Sequence, residues 1–125
     1  MDQDIRFQAA LSGDGSGGTV YFAVPYRCTV RDVRGTLQGD TGSTSEISVT
    51  VVETGSSASI GTVAFSGSSA SLAAGAVGSF SRDSSSGSNV LAASTVLKFD
   101  VAAAQVSGSF AAVLDIELDP WARSL

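Results

Sequence analysis

The stretch Thr19-Val-Tyr-Phe-Ala-Val-Pro-Tyr-Arg-Cys-Thr-Val-Arg-Asp-Val-Arg-Gly-Thr-Leu37 decides how this chain folds. In its first half Val20, Phe22 and Val24 alternate with Thr19, Tyr21 and Ala23. That is the two-residue period of a strand buried on one face. Pro25 cannot donate to a ladder and holds Val24 in extended geometry, so one strand ends or bends there. The chain resumes as strand through Cys28 and Val30, then slips phase to reach Val33 and Leu37. A β-bulge near Arg31 or Asp32 accounts for the slip. The stretch predicts the corner at which one sheet of a β-sandwich hands over to the other.

Outward from this corner the same grammar repeats. On the N-terminal side, Ile5, Phe7, Ala9 and Leu11 alternate with Arg6, Gln8 and Ala10, a first strand. Ser12–Gly18 follows as a flexible loop or wide hairpin turn. Its glycines and Asp14 do not make a phosphate or calcium loop: no Lys-Ser/Thr follows, and one carboxylate is too few for a calcium cage. On the C-terminal side Gln38–Ser45 reads as a turn, and Ile47, Val49 and Val51 alternate with Ser48, Thr50 and Val52. Gly55-Ser-Ser-Ala-Ser59 recurs as Gly67-Ser-Ser-Ala-Ser71, too few copies for a solenoid. A hairpin is expected instead, with Ile60–Phe65 and Leu72–Phe80 paired across the second loop. Ser81–Ser88 is a polar loop, and Val90–Ala93 is short. Leu97, Phe99 and Val101 point inward from Val96–Val101, with Lys98 and Asp100 outward. The last strand, Phe110–Leu118, sets Ala112, Leu114, Ile116 and Leu118 against Val113, Asp115 and Glu117, and Pro120 ends it. Ala102–Val106 permits helix but is too short to stand alone. The expectation is all-β: a single domain, residues 1–125, forming a jelly-roll-like β-sandwich of about eight antiparallel strands.

Composition narrows the function. The 125 residues contain 43 % hydrophobic but only 15 % charged side chains, and small residues, including fourteen Gly, fill the difference. Alternating Val, Ile, Leu and Phe runs between the Gly/Ser clusters argue for a folded β domain over a disordered chain. With 7 basic and 12 acidic residues the net charge is −5 and the pI near 4.3. Such a chain repels phosphate backbones and anionic bilayers, so neither a nucleic acid nor a membrane is the expected partner. Cys28 is the single cysteine, which excludes an internal disulfide and reads as a small buried hydrophobe. Met1–Arg6 lacks the basic and apolar regions of a signal peptide, and no apolar run is long enough to span a bilayer. Synthesis and folding in a cytoplasm are expected.

Chemistry is sparse. The chain has no histidine, which removes the commonest general base and metal ligand together, and no zinc site can be built from one cysteine. No cofactor or metal site is expected. Asp115 and Glu117 share one strand face about 7 Å apart, a spacing that invites comparison with glycosidase carboxylates. A solvated sheet face is the plainer reading, as it is for Asp32, Glu53 and Asp100. No nucleophile elbow, P-loop or dinucleotide fingerprint is present, so an enzyme is not expected. The phenylalanines sit at strand positions and read as core, whereas Tyr21 and Tyr26 flank the corner, where an amphipathic ring covers a sandwich edge. Trp121 lies beyond the last strand, either packed back on its own domain or inserted into a neighbour.

From Val20 to Leu118 the pattern resembles the small jelly-roll decoration (cement) proteins on tailed-bacteriophage capsids and the related head-fibre base domains. The resemblance lies in Phe22-Ala-Val-Pro25, the Cys28-Thr-Val-Arg-Asp-Val33 strand, and the Gly39–Thr44 turn leading into Ile47–Val52. It continues in Val96-Leu-Lys-Phe-Asp-Val101 and the final apolar strand Ala111–Leu118. The chain departs from the pattern at Ser94-Thr95, where such proteins often carry Gly-Asp, and in its Ser-rich loop around Ser84. What the resemblance implies is a homotrimer on the capsid surface of the virion, bridging major capsid protein subunits and stabilising the assembled head without catalysis. Neutral Ser/Thr/Gly faces suit such a role because they bury at little desolvation cost. Terminal segments 1–6 and 119–125 are the expected contact elements, through Ile5, Pro120, Trp121 and Arg123, with Trp121 as anchor. The alternatives are a receptor- or carbohydrate-binding β-sandwich module of a phage fibre or spike, using Tyr21, Tyr26 and Trp121, and a glycosidase using Asp115 with Glu117.

Overall fold

The computed structural model describes residues 5–14, 17–39, 46–66, 74–83, 90–101 and 109–120. Nine strands run through them: β1 (Ile5–Gly13), β2 (Gly18–Ala23), β3 (Cys28–Leu37), β4 (Glu46–Glu53), β5 (Ala58–Ser66), β6 (Val77–Arg82), β7 (Val90–Leu91), β8 (Val96–Val101) and β9 (Phe110–Asp119). The expected eight become nine through the two-residue β7. Each ladder is antiparallel.

Hydrogen bonding runs in the order β1-β9-β3-β6-β5-β4-β8-β2, with β7 on β3. Two sheets emerge from this path, β1-β9-β3 and β2-β8-β4-β5, joined where β6 changes partner. Its Val77 and Gly78 pair with Thr36 and Gly35 of β3, whereas Ser79–Arg82 pair with Ala64–Gly61 of β5. The chain alternates between sheets from β1 to β4, turns back in the β4–β5 hairpin, and returns to insert β8 between β2 and β4 and β9 between β1 and β3. That interleaving is the jelly-roll connection.

The opening stretch behaves as its spacing predicts. β2 stops at Ala23, the buried Val24 bonds to Thr95 and Ser94 at the corner (2.9 and 2.8 Å), and β3 begins at Cys28 in the opposite sheet. Against β9 the register of β3 shifts between Val30 and Asp32, which is the bulge. It lets Cys28 and Val30 on one side, and Val33 and Leu37 on the other, all enter one core. A second shift, at Val51/Val52 against β5, turns Ile60 inward.

Inward positions of both sheets make a single core that includes Leu11, Ile47, Val51, Phe65, Phe99, Leu114 and Ile116. Phe7, Phe22 and Phe80 pack against it half-buried. Two expectations are corrected. The Ser12–Gly18 stretch is tighter than a wide turn: Ser12 and Gly13 end β1, Gly18 begins β2, and Asp14 and Gly17 exchange backbone hydrogen bonds of 2.8 and 3.2 Å. Tyr21 covers no edge: it stands outward and is 62 % exposed, as its alternation with Phe22 requires. Tyr26 does cover the β1–β2 side, with its ring 6.4 Å from Phe7, which in turn lies 5.6 Å from Phe22. The expected strand start at Leu72 and the helix-permissive Ala102–Val106 lie outside the described residues.

Candidate functional site

The expected contact residues fall in one place as far as they are described. Ile5 is register partner to Leu118, so the start of β1 and the end of β9 lie side by side, with Pro120 immediately beyond. Ile5 is 43 % exposed. Trp121 and Arg123 lie outside the described residues.

The carboxylate pair considered for hydrolysis is engaged by a cation. Arg6 on β1 donates to Asp115 Oδ2 and Glu117 Oε1, both at 2.9 Å. The Asp115 hydrogen bond, then the charge of Glu117, holds the Arg6 pKa above its ordinary value. Register explains the fork: Arg6, Glu117 and Asp32 lie in one row across β1-β9-β3, and Gln8, Asp115 and Arg34 in the next. This outer face is charged, with Arg6 and Arg34 set around the acidic Asp32, Asp115 and Glu117.

Beside it the bulge gathers groups that strand alternation did not single out. Asp119, the last residue of β9, is fully buried and accepts from Arg31 Nη2 at 3.2 Å. Arg82 on β6 donates through Nη2 to the Val30 carbonyl and, at 3.2 Å, to that of Arg31. Burial, then the nearby charge of Arg31, pulls the Arg82 pKa down. Cys28 is fully buried, and desolvation first, with Asp119 second, pushes its thiol up to about 11, so it behaves as the expected inert hydrophobe. An open cleft of about 250 Å³ lies where β6 parts from β3, lined by Asp32, Arg34, Val77, Ser79 and Phe80 among others.

The outer face of the other sheet is different in kind. Thr19, Asp100, Thr50, Thr62 and Ser81 are successive register partners across β2-β8-β4-β5-β6. Thr19 Oγ1 donates to Asp100 Oδ1 at 2.5 Å, and Thr50 Oγ1 to the Asp100 carbonyl at 3.2 Å. In the adjoining row Tyr21 lies opposite Lys98. The Ser/Thr content that the sequence displays as a general trait is here an ordered line of oxygens. Among the described residues no group of three or more His, Cys, Asp or Glu side chains is placed to hold a metal, and no helix is long and apolar enough to cross a membrane.

No protein-family profile matches the chain, and no curated protein matches it by sequence. Among solved structures it is similar to a chain in the cryo-EM structure of Mud crab tombus-like virus. The identity is 10 % over 95 % of this chain and 81 % of that one, with a TM-score of 0.38. It is the order of the strand connections that defines the jelly roll here.

Proposed function

We propose that this chain is a non-catalytic structural protein of a virion: a decoration protein that binds the major capsid protein of a tailed phage as a homotrimer and stabilises the assembled head. The observation that carries this reading is the jelly-roll connection of the strands. The residues that bear the resemblance occupy its framework. Phe22 packs against the core, Cys28, Val30 and Val33 lie in it across the bulge, and Leu97, Phe99 and Val101 line it from β8. The engagement of Asp115 and Glu117 by Arg6 supports a structural role over the glycosidase alternative, since two carboxylates held on one guanidinium are poorly placed as acid and nucleophile. A protein that binds the closed shell and not its loose subunits raises shell stability by mass action.

Light scattering of the purified protein, followed by co-sedimentation with heads of the phage that encodes it, tests this reading. A mass of three chains and saturable binding to heads are expected. A monomer that stays in the supernatant would refute it. The same sedimentation with Ile5→Ala and Trp121→Ala variants tests the terminal contact segments, whose loss should lower occupancy.

A further inference from the structure

We propose that the outer face of β2-β8-β4-β5-β6 binds a neutral saccharide, with Tyr21 as its stacking platform and Thr19, Asp100 and Thr50 as its polar contacts. This inference does not depend on the capsid reading.

Three observations converge on the patch. The first is Tyr21. At 62 % exposure it is the most exposed large hydrophobic side chain among the described residues, and it stands on an edge strand paired along its length with β8. A tyrosine ring held this way offers an apolar plane at low conformational cost, matching the C–H face of a pyranose. The second is the hydroxyl line. Five oxygen-bearing side chains, Thr19, Asp100, Thr50, Thr62 and Ser81, succeed one another on consecutive strands. Their spacing is that of strands in a sheet, about 4.8 Å, so the line is roughly 19 Å long. That step is close to the rise of one hexose along an extended glycan, so successive sugars can meet equivalent groups.

The third is the way the polar groups are tied. Thr19 donates its hydroxyl proton to Asp100 Oδ1 and Thr50 donates to the Asp100 carbonyl, which fixes both hydroxyls with lone pairs left to accept. Asp100 Oδ2 is the second acceptor of the same carboxylate, suited to a sugar hydroxyl. Lys98, two residues before Asp100 on the same face and opposite Tyr21, supplies donors. The formal charges of Lys98 and Asp100 offset each other, so the patch offers an anion no excess positive charge, on a chain of net charge −5. That favours a neutral polyol over an acidic glycan. Tyr26, by contrast, is turned into the protein with its hydroxyl buried, and is no part of this face.

The test is a titration of the full chain, followed by saturation-transfer NMR, with neutral hexasaccharides of glucose, mannose, galactose and N-acetylglucosamine, and with polysialic acid as the charged control. At least one neutral hexasaccharide should bind and draw saturation from the Tyr21 ring. Tyr21→Ala should weaken it at least tenfold, Tyr21→Phe should retain it, and Asp100→Asn should weaken it several-fold. Arg34→Ala, on the opposite sheet, should leave it unchanged. Tyr21 is outside the core, so these variants should keep the wild-type far-ultraviolet circular dichroism. No neutral binding at millimolar sugar, binding confined to polysialic acid, or binding indifferent to Tyr21→Ala would each overturn the proposal.

Discussion

Arg82 Nη2 lies 3.2 Å from the carbonyl oxygen of Arg31, the residue that the β3 bulge leaves out of register, and it donates to the neighbouring Val30 carbonyl as well. A bulge frees backbone acceptors from the ladder, and here one guanidinium takes two of them. The same guanidinium lies over Phe80, its central carbon 5.7 Å from the ring centroid. Arg82→Met removes the donors and this cation–π contact together. It should lower stability by about 1–3 kcal/mol, read as a lower urea midpoint at unchanged slope. An unaltered midpoint would show that water serves these carbonyls equally well.

Phe65 lies over Gly35 of β3 and Gly78 of β6, at the point where β6 joins the two sheets. A Cβ on Gly78 would lie 2.9 Å from the Phe65 ring and from Val63 Cγ1, and one on Gly35 would collide with the ring tip. Gly35→Ala should therefore cost about 1–3 kcal/mol by overpacking, and Gly78→Ala less. Adding Phe65→Leu should recover part of the Gly35→Ala loss, since the two sites share one contact. Strictly additive losses in thermal melts would argue against that contact.

Cys28 gives a pH signature. Burial raises its pKa from 9.0 to about 11, so the fold favours the protonated thiol and the unfolded chain ionises first. Stability from this group is complete below pH 9 and falls as pH rises toward 11, by about 2–3 kcal/mol over that window. Burial raises the Tyr26 pKa too, in the same direction, so the decisive quantity is the difference between wild type and Cys28→Ala. That difference should be flat to pH 9 and shrink above it, and a thiol reagent at pH 8 should label Cys28 only after unfolding.

The two ion-pair clusters should respond differently to salt. Arg6 is exposed beside Asp115 and Glu117, so the small midpoint loss in Arg6→Gln should vanish near 1 M salt, where the screening length is about 3 Å. Asp119 is fully buried against Arg31. Arg31→Ala removes that guanidinium from a carboxylate that cannot reach bulk water, so its loss should be larger and persist at high salt. Equal salt sensitivity of the two variants would contradict the burial difference.

Much of this architecture is legible in one dimension because strand alternation is a local property. The phase slip after Val30 announced the bulge, since a one-residue offset must reverse every later side chain. Pro25 announced the corner for the equally local reason that it has no N–H. The candidate sites were less legible. Arg6 is 109 residues from Asp115 in sequence, and its fork exists only because β1 and β9 become register partners. Asp119 looked like the first residue of a tail, and its burial comes from pairing with Thr29 and Arg31.

By itself, then, the sequence determined an all-β chain, its strand phases, its corner and bulge, and a core of alternating aliphatic and aromatic residues. Each of these depends on neighbours within a few residues. Only the tertiary structure decided which strands meet. It paired Thr19 with Asp100, Asp100 with Thr50 and Thr62 with Ser81, turning scattered hydroxyls into a line, and it set Arg6 against two carboxylates. Interstrand pairing is a long-range choice, made by how the two sheets close over one core, and no local period encodes it.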